Sequence, residues 1–574
     1  MATQKLIRTR PLPTELPAAL QSLPPLLARI YAARGIQHDS QLARNVEHLL
    51  AAEQLKGMAE ATQLIADHVQ RGSTICIVGD FDCDGATSTA LGVLGLRDMG
   101  AAQVGFQVPN RFEYGYGLSP ELVADLPADI DLLITVDNGI ASIAGVEAAK
   151  ARGWQVVVTD HHLAGDELPQ AHAIVNPNQP GCSFPSKALC GVGVMFYVLV
   201  ALRRELEQRG WFAERAKPNL ACYLDIVALG TVADVVSLDT NNRILVHQGL
   251  QRIRAGKARP GILALLRVAG RDHSRITAAD LGFAVAPRLN AAGRLDDMSV
   301  GIECLLTDTV PLADFYASQL NEMNLARREI EQDMQHQALH HLDRLELDKD
   351  GLPWGLCLYH PDWHQGVIGI LASRIKERVH RPVIAFAQGE QGEIKGSARS
   401  IAGLHIRDAL AAVDVRYPEL IAKFGGHAMA AGLTLRDGAF DDFKLAFEQQ
   451  VRTMMSEEDL QAVIEVDGEL HEQELSLDNA WLLRKSGPWG QHFPEPLFAG
   501  EFELLQQRVV GERHLKLQLR TLSGRTQLDA IHFNADLSVW PSACKRAYVV
   551  YKLDVNEFRG EVSLQLMVDY LEPR

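Results

Sequence analysis

Eight cysteines are spread over 574 residues without a CxxC pair or a zinc-ribbon spacing. That excludes a disulfide framework or a thiolate zinc site, and reads instead as buried thiols of a reducing compartment. Nowhere do eighteen apolar residues run uninterrupted, so no membrane-spanning helix is expected. The opening MATQKLIRTRPLPTELP has two early arginines but no apolar run of signal-peptide length, and a cytoplasmic location is the expectation. Internal repeats and low-complexity tracts are missing as well. Positive charge is scarce: 56 Lys and Arg stand against 72 Asp and Glu, a net charge of −16. Bulk charge therefore cannot hold this chain to nucleic acid, and any such binding must come from a local basic patch.

What is present is a large folded chain. Single cores stop growing at about 250–300 residues, so several domains are expected. Hydrophobic residues make up 47% and charged residues 22%, which excludes wholesale disorder. Residues 1–70 begin Pro-rich and then carry helical spacing, as in Leu26, Leu27, Ile30 and Tyr31, and read as an N-terminal helical extension. From Ser73 short apolar runs alternate with helical stretches: Thr74–Val78, a helix from Ala86 to Met99, then Gln103–Val108, Leu132–Val136, Gln155–Thr159 and Ala173–Val175. Continuous apolar strands separated by helices predict a parallel sheet covered on both faces, within a domain over 71–310. Residues 312–345 lack Gly and Pro and predict a long connector helix, taken as 311–345. A second α/β domain follows at 346–460 and contains FGGHAMAAGLTL. Past about 460, alternation such as LKLQLRTL (515–522) predicts a small antiparallel barrel over 461–574.

Polar clusters stand at three predicted strand ends, where chemistry gathers in such sheets. The first, Gly79-Asp80-Phe81-Asp82-Cys83-Asp84-Gly85, crowds three carboxylates into one loop. Such a cluster is stable chiefly when cations neutralise it, and hard divalent ions prefer oxygen ligands. The spacing matches the start of an EF-hand loop, but Leu91 stands where a bidentate Glu is required, and a strand precedes it. A phosphate-cradling loop would need a Lys and more glycine. The second cluster is Asp137, closing DLLITVD. The third is Asp160-His161-His162, closing QVVVTD. Carboxylates with one or two imidazoles suit Mn²⁺ or Mg²⁺ better than zinc. A fourth acidic segment holds Asp225 and Asp234. Asp234 follows a Gly-Thr pair read as a turn and is the better candidate to face a cleft.

In that order, VGDFDCDG, TVDNGI, TDHH and GTVADVV resemble the DHH phosphoesterase superfamily, metal-dependent enzymes that cleave phosphoanhydrides and phosphodiesters. Gly425-Gly426-His427 resembles the GGH loop of the family's partner domain. The segments NRFEYGYGLS (110–119) and PRLNAAGRL (287–295), with the barrel-like tail, are similar to members that degrade single-stranded DNA from 5′ to 3′ in repair and recombination. The resemblance implies an α/β, two-lobed core joined by a long helix, a C-terminal OB-like barrel and a centre of two Mn²⁺ or Mg²⁺ ions. Carried residue by residue, it makes Asp80, Asp82, Asp84, Asp137, His161 and Asp234 the metal ligands. Holding two ions about 3.5–4 Å apart needs a bridging carboxylate, for which Asp137 or Asp82 is the candidate. His162 becomes a ligand or transition-state contact. Cys76 stands where shorter members carry a His, and Asp84 is the expected substitute.

Phosphate binding is expected from Arg111, Arg288 and Arg294, whose planar forks suit phosphate oxygens, and from Ser397, Arg399 and His427 among glycines. Asn290 is expected to orient a phosphate or a water. The tail is neutral in an acidic chain, and its Phe533, Trp540, Tyr548, Tyr551 and Phe558 are candidates to stack bases or to fill the barrel. Two other readings stand beside the exonuclease: an oligoribonuclease or cyclic-dinucleotide phosphodiesterase on the same core, and a non-catalytic nucleic-acid-binding protein. Single-stranded DNA is the expected substrate. A single-strand-binding protein and a DNA helicase are the expected partners of a monomeric chain that binds no membrane.

Overall fold

A computed structural model describes residues 5–110, 113–345, 352–389, 392–511, 513–535, 537, 540, 544–558 and 560–574. The chain forms two compact units. The first comprises Leu12–Asn324 and Trp481–Pro496, the second Met1–Pro11, Leu325–Ala480 and Leu497–Arg574. This interleaving departs from the expected linear order. Strand β1 (Leu6–Thr9) belongs to the second unit, and Trp481–Pro496, expected in the barrel domain, belongs to the first.

In the first unit α1 (Pro25–Ala33) and α2 (Met58–Arg71) precede β2 (Thr74–Val78), β3 (Gln103–Gln107), β4 (Leu132–Val136), β5 (Gln155–Thr159) and β6 (Ala173–Val175). These five form a wholly parallel sheet in the order β3-β2-β4-β5-β6. Its central strands β2, β4 and β5 are buried almost throughout and mostly apolar because both faces are covered. Alternate residues feed two cores: Ile75, Ile77 and Ile134 pack with Leu91 and Met195, while Val78, Leu133 and Val158 pack with Leu122 and Val146. Helix α3 (Cys83–Asp98) follows β2, then come α4 (Pro120–Asp125) and α5 (Ile143–Ala151). Helices α6 (Gly191–Gln208), α7 (Leu224–Ala233) and α8 (Thr240–Arg254) complete the layer used below.

Helix α3 starts three residues earlier than the expected Ala86. Asp82 supplies the reason: as N-cap, its Oδ1 accepts the Gly85 amide at 3.0 Å and starts the helix at Cys83. The predicted Gly-Thr turn before Asp234 is likewise helical. Gly230 and Thr231 lie inside α7, and Asp234 is its C-cap. The long connector spans Val310–Leu345, with Pro311 tolerated in its first turn, and passes from the first unit to the second at residue 325.

In the second unit β7 (Leu356–Tyr359), β8 (Val383–Gln388), β9 (Ile394–Arg399), β10 (Ile421–Gly426) and β11 (Ala430–Leu435) form a sheet in the order β10-β11-β9-β8-β7. Only β7 and β8 run parallel, so the sheet of this α/β lobe is mixed. Strand β12 (Val463–Val466) pairs in parallel with β1, Leu6 opposite Val463. Strands β13 (Phe498–Val510), β14 (His514–Thr521), β15 (Gln527–His532), β16 (Arg546–Phe558) and β17 (Glu561–Pro573) close a barrel. Tyr551 fills it with Phe498 and Phe502, whereas Phe533 is exposed; the side chain of Phe558 lies outside the described residues. No helix among the described residues is long and apolar enough to cross a membrane.

One packing contact fixes the loop that follows β2. Helix Ala286–Leu295 passes so close that a Cβ on Gly293 would overlap the Phe81 carbonyl oxygen, with Met298 behind it at 3.1 Å. By helix propensity alone, Gly293→Ala would stabilise by about 1 kcal/mol. Overpacking against rigid backbone costs about 1–3 kcal/mol, so the clash outweighs the propensity. Urea unfolding should therefore show G293A destabilised. A stabilised variant would mean that the loop is free to move.

Candidate metal centre

Three neighbouring strands, β2, β4 and β5, deliver their carboxyl ends side by side. Each is followed by polar residues whose backbone is tied down. Beyond β2, Asp80 is buried and Asp82 half-buried. Asn290 accepts the Cys83 amide at 2.8 Å through Oδ1, so it anchors the start of α3 from the neighbouring helix. That gives Asn290 a positioning role alongside the expected one. Asp84, in the first turn of α3, turns inward and accepts the Gly191 and Val192 amides at 2.6 and 2.9 Å, at the N-terminus of α6. Gly191 must be glycine: a Cβ there would lie 2.5 Å from Asp137 Cβ.

Beyond β4, Asp137 adopts a left-handed backbone, φ 60°, a strain on the order of 1 kcal/mol for a residue with a side chain. Asn138 offsets it by donating to the Val78 and Val136 carbonyls at 3.1 and 2.9 Å, which pins the ends of β2 and β4 together. Beyond β5, Asp160 is wholly engaged. Its Oδ1 accepts the His161 amide, the His162 amide and His162 Nδ1 at 2.7, 3.1 and 2.7 Å, and its Oδ2 accepts the Ile140 amide at 2.9 Å. Asp160 is thus the orienting residue of the triplet. The triplet's spacing drew attention to it but gave no hint of that role.

The side chains converge. His161 Nε2 lies 3.1 Å from Asp137 Oδ1, 3.5 Å from Asp234 Oδ2 and 3.9 Å from Asp84 Oδ2. Three sets each bring one ligand atom per residue within 4.8 Å of the others: Asp80, Asp82 and Asp137; Asp84, His161 and Asp234; and Asp137, His161 and His162. All six expected ligands and His162 are therefore in one cluster. Asp225 is not. It is fully buried and accepts the Ile226 and Arg259 amides at 2.9 and 2.7 Å, a structural carboxylate. Cys76 lies inside β2, its thiol pushed up to about 12 by burial.

The electrostatics are those of a cation site. Burial, then the charge of Asp82, raises the Asp84 carboxyl to about 6 despite the two amides that oppose it. Burial, followed by the charge of Asp84, raises Asp137 and Asp234 well above the usual carboxylate range. Burial alone would lower His162, yet the Asp160 hydrogen bond and charge hold it at about 9. The donor set of carboxylates and imidazoles fits Mn²⁺ or Mg²⁺. The adjacent Cys83 and Cys190 thiols, raised by burial, stay protonated. Tyr116 was missed by sequence reasoning. Its hydroxyl reaches His162 Nδ1 at 3.1 Å and the Asp137 carbonyl at 3.2 Å, and the only signal was its place in NRFEYGYGLS.

The expected phosphate contacts are distributed. Arg288 donates to Asn321 Oδ1 at 3.0 Å and the Ala284 carbonyl at 2.6 Å, and Arg294 is half-buried on the same helix. Arg111 lies outside the described residues. Ser397, Arg399 and His427 belong to the second unit. Arg399 Nη1 donates to Ser397 Oγ at 3.1 Å, and a Cβ on Gly369, in the first turn of helix Ile368–Val379, would meet both side chains at 2.8–2.9 Å. His427 sits in the β10–β11 turn, which its own amide closes onto Ala430.

Three family models match: the DHH family N-terminal domain over residues 74–231, the DHHA1 domain over 355–453 and the RecJ OB domain over 466–570. The chain is 57% identical over 572 residues to the single-stranded-DNA-specific exonuclease RecJ of Dickeya dadantii, covering 99% of each. It is 55% identical over 563 residues to that of Escherichia coli, covering 97% of each. Its fold is similar to crystal structures of Thermus thermophilus RecJ with Mn²⁺ and with Mg²⁺. TM-scores are 0.80 and 0.75, at 30% and 29% identity, over 99% of this chain and 80% and 79% of those.

Asp137 offers a test independent of catalysis. The folded protein holds its proton more tightly than the unfolded chain, so its ionisation lowers stability as pH rises above the ordinary carboxylate value. In chelator, Asp137→Asn should melt higher than wild type at pH 8, and the gap should shrink as pH falls towards 4. With Mn²⁺ the order should reverse. A variant less stable than wild type in chelator at pH 8 would contradict the repulsion.

Proposed function

The chain belongs to the RecJ family of single-stranded-DNA-specific exonucleases, and from that premise we propose that it hydrolyses single-stranded DNA from the 5′ end with two divalent ions. The observation that carries the reading is the complete cluster of five carboxylates and two imidazoles gathered at adjoining strand and helix ends. Asp80, Asp82 and Asp137 would hold one ion, and Asp84, His161 and Asp234 the other. Bound there, Mn²⁺ or Mg²⁺ supplies Lewis acidity, polarising phosphoryl oxygens and acidifying a water.

The protein's own residues do the rest. Asp160 accepts from His162 Nδ1, holds the ring still and favours the protonated imidazole, so Nε2–H is left to donate to a phosphoryl oxygen; the Tyr116 hydroxyl also lies 3.1 Å from Nδ1. Arg288 and Arg294 bind flanking phosphates, and Asn290 holds the acidic loop to their helix. Ser397, Arg399 and His427 bind a phosphate and thereby set polarity. Supporting this, Arg399 forms no ion pair among the described residues, and it borders a helix N-terminus, where anions are favoured. Repair and recombination are the proposed setting. The chain is proposed to act as a cytoplasmic monomer alongside a single-strand-binding protein and a DNA helicase.

An intact ligand set argues against a non-catalytic scaffold. The closed barrel, matched by the RecJ OB domain, argues against a phosphodiesterase for dinucleotides, which need no extended track. The test compares 5′- and 3′-labelled single strands and blunt duplex with Mn²⁺. Wild type should release the 5′ label first and spare the duplex. Removing an outer partner of a metal site typically costs about 10–100-fold, so Asp160→Asn should lose activity within that range and Asp82→Ala or His161→Ala should lose more. Equal rates on duplex and single strand, or substantial activity in both ligand variants, would contradict the reading.

A further inference from the structure

Between Thr240 and Arg271 this acidic chain carries seven Lys and Arg and no Asp or Glu. Three of the seven serve the fold. Arg259 donates to the Leu305 and Leu306 carbonyls and pairs with Asp308, Arg267 pairs with Asp314, and Arg271 pairs with Asp280. Others line α8. Arg243, His247 and Arg254 are four and eleven positions apart, which puts them on one stripe about 16 Å long.

Arg44 and the segment Trp481–Pro496 flank that stripe within the first unit. The Arg44 carbonyl accepts Gln248 of α8 at 2.6 Å, and its guanidinium donates to the Ser486 carbonyl at 2.9 Å. Arg243 donates to the Leu238 and Gln41 carbonyls at 2.8 Å each, and Arg254 to the Ile276 carbonyl at 2.8 Å. These carbonyls satisfy hydrogens without neutralising charge, and none of the three arginines forms an ion pair among the described residues. Burial, with Arg44 and Arg254 close by, holds His247 down at about 4, so the positive charge of the stripe belongs to its arginines.

Rings alternate with these cations. Arg243 lies 4.2 Å from the Phe493 ring centroid, Arg34 5.3 Å from Trp489, and Arg484 and Lys485 5.4 Å each from Trp481. Where Arg44 and Arg243 meet, a cavity of about 210 Å³ opens, walled by Leu23, Leu27, Tyr31, Leu42, Pro488 and Phe493. Guanidinium forks suit phosphates, and apolar or aromatic walls suit base faces. A repeated pairing of cation with ring fits a polymer that repeats phosphate and base. An acidic peptide would answer the charge alone.

We propose that this face is an accessory site for single-stranded DNA, the arginine stripe taking phosphates and the cavity a base, separate from the carboxylate cluster. The choice of ligand rests on the exonuclease reading above. The site would hold a long strand while its end is processed, and it would be irrelevant to a strand of a few nucleotides.

The test uses the full chain, with Arg254→Gln/Arg484→Gln beside Arg254→Lys/Arg484→Lys. Fluorescence anisotropy in chelator reads affinity for a long single strand, and Mn²⁺-dependent cleavage of long and very short strands reads activity. The Gln pair should bind the long strand roughly tenfold more weakly, and its log–log salt dependence should flatten by about 1.4, at about 0.7 per lost phosphate contact. Cleavage of the very short strand should be unchanged, and the Lys pair should restore the salt slope. Unchanged long-strand affinity, or equal loss on both strand lengths, would overturn the site. So would an acidic peptide that needs these arginines while DNA binding does not. A wild type that binds the strand through these arginines but cleaves nothing would overturn the exonuclease reading and leave this site standing.

Discussion

Five carboxylates share the space above β2, β4 and β5, and their mutual repulsion is the constraint that the first unit is built to bear. A pair of like charges about 4 Å apart near a protein surface costs on the order of 4 kcal/mol. Several such pairs rival the whole stability of a domain, about 5–15 kcal/mol. Without counter-charge the fold answers by keeping protons, which is why burial and then a neighbouring carboxylate, Asp82 for Asp84 and Asp84 for Asp137 and Asp234, raise all three. Divalent ions remove the penalty and turn a liability into a centre able to meet a polyanionic substrate.

The scaffold holds these groups in place by spending hydrogen bonds on backbone. Asn138 ties two strand ends, Asn290 ties the acidic loop to a neighbouring helix, and Asp160 gathers three amides and one imidazole. Helix α6 contributes two amides to Asp84, whose charge a helix N-terminus favours. The glycines at 191 and 293 let backbone and side chains approach where a methyl group would not fit. Nearly every residue around the cluster acts on another residue's position, so sensitivity to substitution should extend well beyond the ligands.

Much of this was legible in the sequence because parallel sheets have simple signatures. Apolar runs between helices located all five strands of the first sheet, and the rule that chemistry lies at their carboxyl ends brought Asp80, Asp82, Asp137, His161 and His162 to one place. The barrel was legible from alternation. What escaped depends on contacts distant in sequence. The choice of Asp234 over Asp225 matches the cluster, yet the turn invoked for it is helix; what separates the two is the pair of amides that occupies Asp225. The start of α3 was misplaced because Asp82 was read as a ligand only, not also as a cap. Antiparallel pairing in the second sheet and the pairing of β1 with β12, 457 residues away, leave no local periodicity to read.

Counting Mn²⁺ ions per chain by calorimetric titration while following thermal unfolding tests the central claim most directly. The account predicts two ions, with Tm rising as they bind, because relieved repulsion is stabilising and ions that bind only the folded state add further to it. Binding of one ion or none, or of two ions with no rise in Tm, would contradict it.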